Sequence, residues 1–214
     1  MAVKLHPFRS RSLASIGLTD DGLLYKSDRR SRVWLVQTVD GPVVIKRFEY
    51  TPLRQWLALC ASCHPAQRQC RATRRLLKAK VPVAPVVDGG FEACQLGCRV
   101  WLSAPFAGQS LQQLLVEATD DHQRTVAVDA AVRLTCRLIR AGYWFKDLKP
   151  SNILVDDQAE AKLIDVGSVC RCRKTGQIQR MLAVMDRVLA RDGAGESLRC
   201  RYRQAVTEAV GVSQ

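Results

Sequence analysis

The segment Phe145-Lys146-Asp147-Leu148-Lys149-Pro150-Ser151-Asn152-Ile153-Leu154-Val155 constrains this chain more than any other stretch. A polar turn carrying a proline runs directly into a three-residue apolar strand. Thirteen positions beyond Asn152 stands Asp165, within Leu163-Ile164-Asp165-Val166-Gly167. Between them, 153–155 and 162–164 read as a short hairpin across Asp156-Asp157. These residue types suit phosphoryl transfer, which needs positioned charge more than covalent help from the protein. Asp147 can accept the proton of an attacking hydroxyl. Lys149, two residues on, can reach a transferring phosphate. Asn152 and Asp165 offer hard oxygen ligands of the kind Mg2+ takes. Gly167 is expected to let the backbone turn sharply beside the metal.

The rest of the chain divides into a strand-rich part and a helix-rich part. Residues 1–21 show weak periodicity and are expected to be a loose lead-in. Leu23-Leu24-Tyr25 and the β-branched and aromatic run from Val33 to Val39 predict two strands. Asp40-Gly41 marks a hairpin, and Val43-Val44-Ile45-Lys46-Arg47-Phe48 predicts the returning strand. Residues 53–80 read as helix, split by Pro65. Residues 81–87 run extended, Asp88-Gly89-Gly90 reads as a turn, and 91–94 and 98–103 predict two more strands. The expected sheet has about five strands with the helices inserted after the third. Ala104-Pro105-Phe106-Ala107-Gly108 is a connector. Ser110 and Gln113 form a capping box at the next helix start. Residues 124–140 carry apolar residues at helical spacing and end at Gly142. Ile178, Met181, Leu182, Met185 and Leu189 line a further helix, and 198–210 suggest the last.

Composition bounds the partners. The chain has 214 residues and a formal net charge of +13, which favours anionic partners. No stripe of aromatics interleaved with basic residues is visible, which argues against nucleic acid. Hydrophobic residues make up 47% and charged residues 25%, as in soluble globular proteins. Residues 1–13 include Lys4, His6, Pro7, Arg9 and Arg11 without an apolar core, so no secretory leader is expected. Charges interrupt every apolar run, so no membrane-spanning helix is expected either. The expected location is the cytoplasm, with room for peripheral docking on a membrane face. Nine cysteines at irregular spacing argue against a disulfide framework. Cys60-Ala61-Ser62-Cys63-His64 matches a haem-attachment string, but such attachment needs export. Cys94 with Cys98 and Cys170 with Cys172 fall short of a zinc pattern. All nine read as reduced thiols.

The Asp147–Asn152 segment and Asp165-Val166-Gly167 resemble the catalytic and metal loops of the protein-kinase superfamily. Phe145 and Lys146 replace the His and Arg of that pattern. Val44-Ile45-Lys46 resembles its strand lysine, so the resemblance gives Lys46 the ATP α- and β-phosphates. It also implies a two-lobed α+β fold with a β-rich N-lobe (22–103), a hinge (104–108) and a mostly α C-lobe (109–214) reduced at its end. Ala104 and Phe106 would then contact adenine, Asp147 and Lys149 would be catalytic, and Asn152 and Asp165 would hold Mg2+. Two departures stand out. No glycine-rich loop precedes Lys46, where Asp28-Arg29-Arg30-Ser31-Arg32 stands instead; its arginines could grip phosphate, or form an ordinary polar hairpin. The helix expected to offer Lys46 a glutamate has Gln69 there instead.

Asp28-Arg29-Arg30-Ser31-Arg32, Ile45-Lys46-Arg47-Phe48, Thr51-Pro52-Leu53-Arg54 and Leu138-Ile139-Arg140-Ala141-Gly142 are similar to the lipopolysaccharide kinase (Kdo/WaaP) family. That narrower resemblance implies an ATP- and Mg2+-dependent phosphotransferase acting on a sugar hydroxyl of the lipopolysaccharide inner core. It implies a glycolipid acceptor and contact with the cytoplasmic face of the inner membrane of a Gram-negative bacterium. Asp147-Leu148-Lys149-Pro150-Ser151-Asn152 keeps open a minimal protein serine/threonine kinase. The two departures keep open a nucleotide-binding pseudokinase. The stub Cys170-Arg171-Cys172-Arg173-Lys174 either attracts a phosphorylated sugar or is a solvated loop, and no protein-substrate platform follows it.

Overall fold

The computed structural model describes residues 9–16, 22–117 and 120–211. The chain is α+β and divides into two compact units. The first holds residues up to Thr73 together with Ala84–Phe106; the second holds Arg74–Val83 and the residues from Ala107 onward.

The first unit is built on one sheet. Its strands are β1 (Arg9–Ser10), β2 (Leu23–Ser27), β3 (Ser31–Thr38), β4 (Gly41–Phe48), β5 (Asp88–Cys94) and β6 (Gly97–Pro105). Their order is β1-β5-β6-β4-β3-β2, antiparallel throughout except for β1, which runs parallel to β5. Two helices, α1 (Pro52–Cys60) and α2 (Pro65–Lys78), lie between β4 and β5 in the chain. Each begins with a proline, whose missing N–H is one the first turn of a helix leaves unused. Period-two alternation gives the sheet two apolar faces. Phe48, Cys98, Val100 and Leu102 pack with Ala66 and Cys70 of α2 on one face. Trp34, Ile45 and Trp101 pack with Leu13 on the other.

Three sequence expectations need correction here. The lead-in is partly ordered: β1 pairs with Gly90 and Phe91, Arg11 forms an ion pair with Asp88, and Leu13 is buried. The remainder of 1–21 lies outside the described residues. Asp88-Gly89-Gly90 is strand, not turn; Gly89 lies opposite Leu102 and Gly90 opposite Trp101. Ala104 and Pro105 extend β6 opposite Val44 and Val43, so the connector begins only at Phe106.

Gln55 ties α1 to the sheet, a role invisible in the sequence. Its side chain is buried. The amide nitrogen donates to the Phe48 carbonyl at 3.1 Å and the Tyr50 carbonyl at 2.7 Å, and its oxygen accepts from Val100 N–H at 2.9 Å. Gln55→Leu keeps the volume but strands three backbone groups. Leaving buried polar groups unpaired costs about 1–3 kcal/mol each, so we expect a total loss of about 3 kcal/mol in chemical denaturation.

His64 shows the same kind of structural commitment. It precedes Pro65, and its Nδ1 accepts from Ala66 N–H at 3.1 Å, capping α2. Its ring meets Phe48 edge-on at 5.0 Å. Burial, assisted by the charge of Arg68, lowers its pKa from 6.5 to about 4. The folded pKa lies below the unfolded one, so the unfolded chain binds the extra proton in this window. Stability is therefore complete above pH 6.5 and falls as pH drops toward 4, by roughly 3 kcal/mol from this group alone. His64→Asn keeps a capping acceptor and removes the titration. Denaturation curves between pH 6.5 and 5 should be markedly flatter for that variant than for the wild type.

The second unit is mostly helical. It contains β7 (Gln109–Ser110), α3 (Leu111–Glu117), α4 (Asp121–Arg140), β8 (Tyr143–Phe145), β9 (Ile153–Val155), β10 (Ala161–Leu163), β11 (Val169–Arg171), α5 (Thr175–Arg191) and α6 (Glu196–Val210). The capping box at α3 forms: Ser110 N–H donates to Gln113 Oε1 at 3.0 Å and Gln113 N–H donates to Ser110 Oγ at 3.2 Å. Helix α4 is the spine, burying Ala127, Ala131, Leu134 and Leu138 at helical spacing. Tyr202 of α6 is buried against it, its hydroxyl 2.7 Å from Thr135 Oγ1, and burial raises its pKa. Bidentate pairs from Arg201 to Asp129 and from Arg199 to Asp186 join α6 to α4 and to α5. The stub after Asp165 is not a loop throughout, because Val169–Arg171 forms β11 and pairs with β8.

Candidate functional site

Two short loops of the second unit carry the chemically distinctive residues. The first joins β8 to β9 and contains Asp147, Lys149 and Asn152. The second joins β10 to β11 and contains Asp165. Strand pairing fastens both ends of each. At one end β8 pairs with β11, Phe145 opposite Val169. At the other β9 pairs with β10, Ile153 opposite Leu163. The two loops are thus held side by side by the ladders that begin and end them. The contact between them is direct, since Ile164 N–H donates to the Asn152 carbonyl at 3.0 Å.

Apolar anchors keep the first loop in shape. Phe145, Leu148 and Ile153 are fully buried, with Pro150 beside them. Leu148 N–H bonds back to the Phe145 carbonyl at 3.2 Å. Pro150 sets the 3-10 turn Pro150–Asn152, closed by Asn152 N–H on the Lys149 carbonyl at 2.9 Å. Phe145, standing where the kinase pattern has His, therefore contributes packing instead of a polar contact.

Within this frame three side chains converge. Asn152 Nδ2 donates to the Asp147 carbonyl at 2.9 Å and to Asp147 Oδ2 at 3.3 Å. Lys149 Nζ lies 3.1 Å from the same Oδ2. Asn152 is buried at 6% exposure, whereas the Asp147 side chain is 54% exposed and open to an incoming molecule. With its amide nitrogen committed to Asp147, Asn152 has its oxygen left to serve as an acceptor.

Asp165 introduces the second loop in the left-handed region, φ 53° and ψ 36°. Only a few per cent of residues other than glycine adopt positive φ, and such strain is found disproportionately at functional sites. The sequence reading placed the sharp turn at Gly167. Instead the left-handed residue is Asp165, and Gly167 lies within the following 3-10 turn, Val166–Ser168. Behind this loop the β9–β10 hairpin is tied by Asp156, whose Oδ1 accepts from Glu160 N–H at 2.9 Å and whose Oδ2 lies 3.0 Å from Lys162 Nζ. Those hydrogen bonds, that from Glu160 foremost, hold the Asp156 carboxyl below its ordinary pKa.

The residues singled out in the first unit occupy the sheet. Lys46 sits on β4 between Val33 and Leu102, its Nζ 5.5 Å from the Phe48 ring centroid. Ala104 is on β6, and Phe106 follows it, partly exposed, with its N–H on the Pro42 carbonyl at 2.9 Å. Gln69 is half-buried on α2. The turn from Asp28 to Ser31 is a polar hairpin: Asp28 Oδ1 accepts from Arg30 N–H at 2.7 Å and Ser31 N–H at 2.8 Å. Among the described residues, all nine cysteines are free thiols, and no group of three His, Cys, Asp or Glu side chains could hold a metal ion. His64 of the Cys-x-x-Cys-His string is spent on capping α2. Among the described residues no helix is long and apolar enough to cross a membrane.

No family model matches the chain. Two curated proteins of Escherichia coli, each described as an O-antigen chain terminator bifunctional methyltransferase/kinase WbdD, are 33% identical to it over 86 residues. The match takes in 40% of this chain and only 12% of either relative. The likeness is therefore to one part of a protein whose described activities include a kinase.

Proposed function

We propose that this chain is a kinase-fold phosphotransferase that moves the terminal phosphate of ATP to a sugar hydroxyl, in the inner core of lipopolysaccharide. One observation carries the reading. Asp147, Lys149 and Asn152 meet within hydrogen-bond distance on a loop that strand pairing holds against the loop of Asp165. The partial likeness to a methyltransferase/kinase of O-antigen synthesis supports both the kinase class and the carbohydrate context.

In this reading Asp147 is the base. Its exposed carboxylate orients the acceptor hydroxyl and takes its proton as the oxygen attacks the γ-phosphorus, while the bond from that phosphorus to the β–γ bridging oxygen breaks and ADP leaves. Asn152 fixes that carboxylate through Oδ2 and fixes the loop through the Asp147 carbonyl. Lys149 balances the aspartate in the resting state and faces the charge of the transferring phosphoryl group. Asn152 Oδ1 and the Asp165 carboxylate would hold Mg2+. A pair of oxygen ligands fits this ion, which is usually bound by one or two protein groups plus substrate phosphates. When bound, it neutralises phosphate charge. In the first unit, Lys46 would contact phosphate, and Ala104 and Phe106 adenine.

The second reading, a protein serine/threonine kinase, draws on Asp147-Leu148-Lys149-Pro150-Ser151-Asn152. Against it, α5 begins at Thr175, so only 166–174 separate Asp165 from that helix, and β11 uses three of them. Little chain remains there to hold an extended peptide. Incubation with radiolabelled ATP, purified core glycolipid and a protein pool separates the readings. Label in glycolipid is expected. Label on protein serine or threonine would favour the second reading, and Mg-ATP binding without transfer would mark a pseudokinase.

A further inference from the structure

One face of α1 is apolar, exposed and unused by the site above. Leu53 is 57% exposed, Trp56 43% and Leu57 59%. Leu96, at the β5–β6 turn, is 76% exposed. It adjoins the same face, because Gly97 is pressed so closely on the start of α1 that an added Cβ would collide with the Pro52 carbonyl. Trp56 rests on Phe91, ring centroids 6.2 Å apart, which leaves its outer edge to solvent. Beside these residues lies an open groove of about 460 Å3 lined by Thr51, Leu53, Arg54, Leu57, Ala58, Ala61 and Cys63. Scattered apolar residues need no explanation, but a contiguous exposed patch marks an interaction surface.

The surrounding charge selects the partner. Within the first unit, from Tyr50 to Thr73, there is no acidic residue, while Arg54, Arg68 and Arg71 are basic. Arg54 stands on the groove itself, its guanidinium 5.0 Å from the Tyr50 ring centroid. Arg71 is exposed and bonds the Ser62 carbonyl at the α1–α2 turn. A short helix with leucines and a tryptophan outward, set in a segment of one charge sign, has the chemistry of an interfacial helix on anionic lipid. Tryptophan favours the boundary between headgroups and acyl chains, and arginines near the surface are attracted by its negative potential.

We propose that the exposed face of α1, with Leu53, Trp56, Leu57 and Leu96 as apolar anchors and Arg54 as cation, docks on an anionic phospholipid bilayer. The helix lies in the interface and does not span it. The proposal gives a surface to the membrane contact that the lipopolysaccharide-kinase resemblance implies, and its test is separate, since docking requires neither ATP nor the Asp147 loop.

Vesicle sedimentation of the full chain, without nucleotide, tests it. Binding to phosphatidylglycerol–phosphatidylethanolamine vesicles is expected, and about tenfold or weaker binding to vesicles of phosphatidylcholine alone. Leu53→Asn combined with Leu57→Asn should reduce binding to anionic vesicles by about tenfold or more. Both side chains are more than half exposed, so the melting temperature should hold. Arg54→Gln should weaken binding severalfold without touching the apolar face. Three results would overturn the proposal: no binding to anionic vesicles, equal binding by the double variant, or a wild-type dimer in sedimentation equilibrium that the double variant dissociates. The last would assign the face to a second copy of the chain.

Discussion

Asp147→Asn is expected to lower phosphate transfer from ATP by roughly 10²- to 10⁴-fold, the range general base catalysis contributes. The substitution keeps the size of the side chain and leaves an oxygen that can accept from Asn152. The Asp147 carbonyl, which takes the shorter Asn152 hydrogen bond at 2.9 Å, belongs to the backbone and is unaffected. The melting temperature should therefore stay within a degree or two, and ATP affinity should change only severalfold. What disappears is the carboxylate proposed to hold and deprotonate the acceptor. Single-turnover measurements should show the loss in the transfer step. A variant that kept more than about a tenth of wild-type transfer would remove Asp147 from the role of base.

Asp165→Gly should separate activity from stability. The native residue holds φ 53°, a conformation open to glycine without a Cβ penalty. Glycine and alanine both give up whatever the aspartate side chain contacts, but only glycine relieves the left-handed strain, so Asp165→Gly should be more stable than Asp165→Ala by up to about 1 kcal/mol. Transfer should nonetheless fall by about three orders of magnitude, because the carboxylate assigned to Mg2+ is gone and metal charge stabilisation is worth several kcal/mol. Asp165→Ala loses the same carboxylate but keeps the strain, so it should be the less stable of the two and equally inactive. Calorimetry and transfer assays on the pair distinguish a strained ligand from a residue needed only for the turn.

Much of the architecture was legible because it rests on long, regular signals. The alternation from Val33 to Phe48, the helix break at Pro65, which opens α2, and the spacing along α4 all appear where the sequence places them. Strands β1, β7, β8 and β11 were not legible. At two or three residues each they show no period, and pairing partners far along the chain create them. Gly89 and Gly90 misled for a related reason: glycine pairs signal turns locally, but here the neighbouring strand β6 holds them in a ladder. Around the candidate site, the residue types were readable and the means of holding them together were not. Nothing in Ile164 announces its bond to the Asn152 carbonyl, and the left-handed turn fell on aspartate instead of the nearby glycine. The sequence did not show the structural roles of Gln55 and His64, because what commits them is burial against Val100, Phe48 and the α2 terminus.

The central claim is that the loops of Asn152 and Asp165 together receive the metal of a Mg-ATP complex. Titration calorimetry of ATP with and without Mg2+ tests it most directly. The wild type should bind ATP about tenfold or more tightly when Mg2+ is present, and both Asn152→Ala and Asp165→Gly should abolish that enhancement. ATP affinity indifferent to Mg2+ in the wild type, or an enhancement that survives in both variants, would contradict the account.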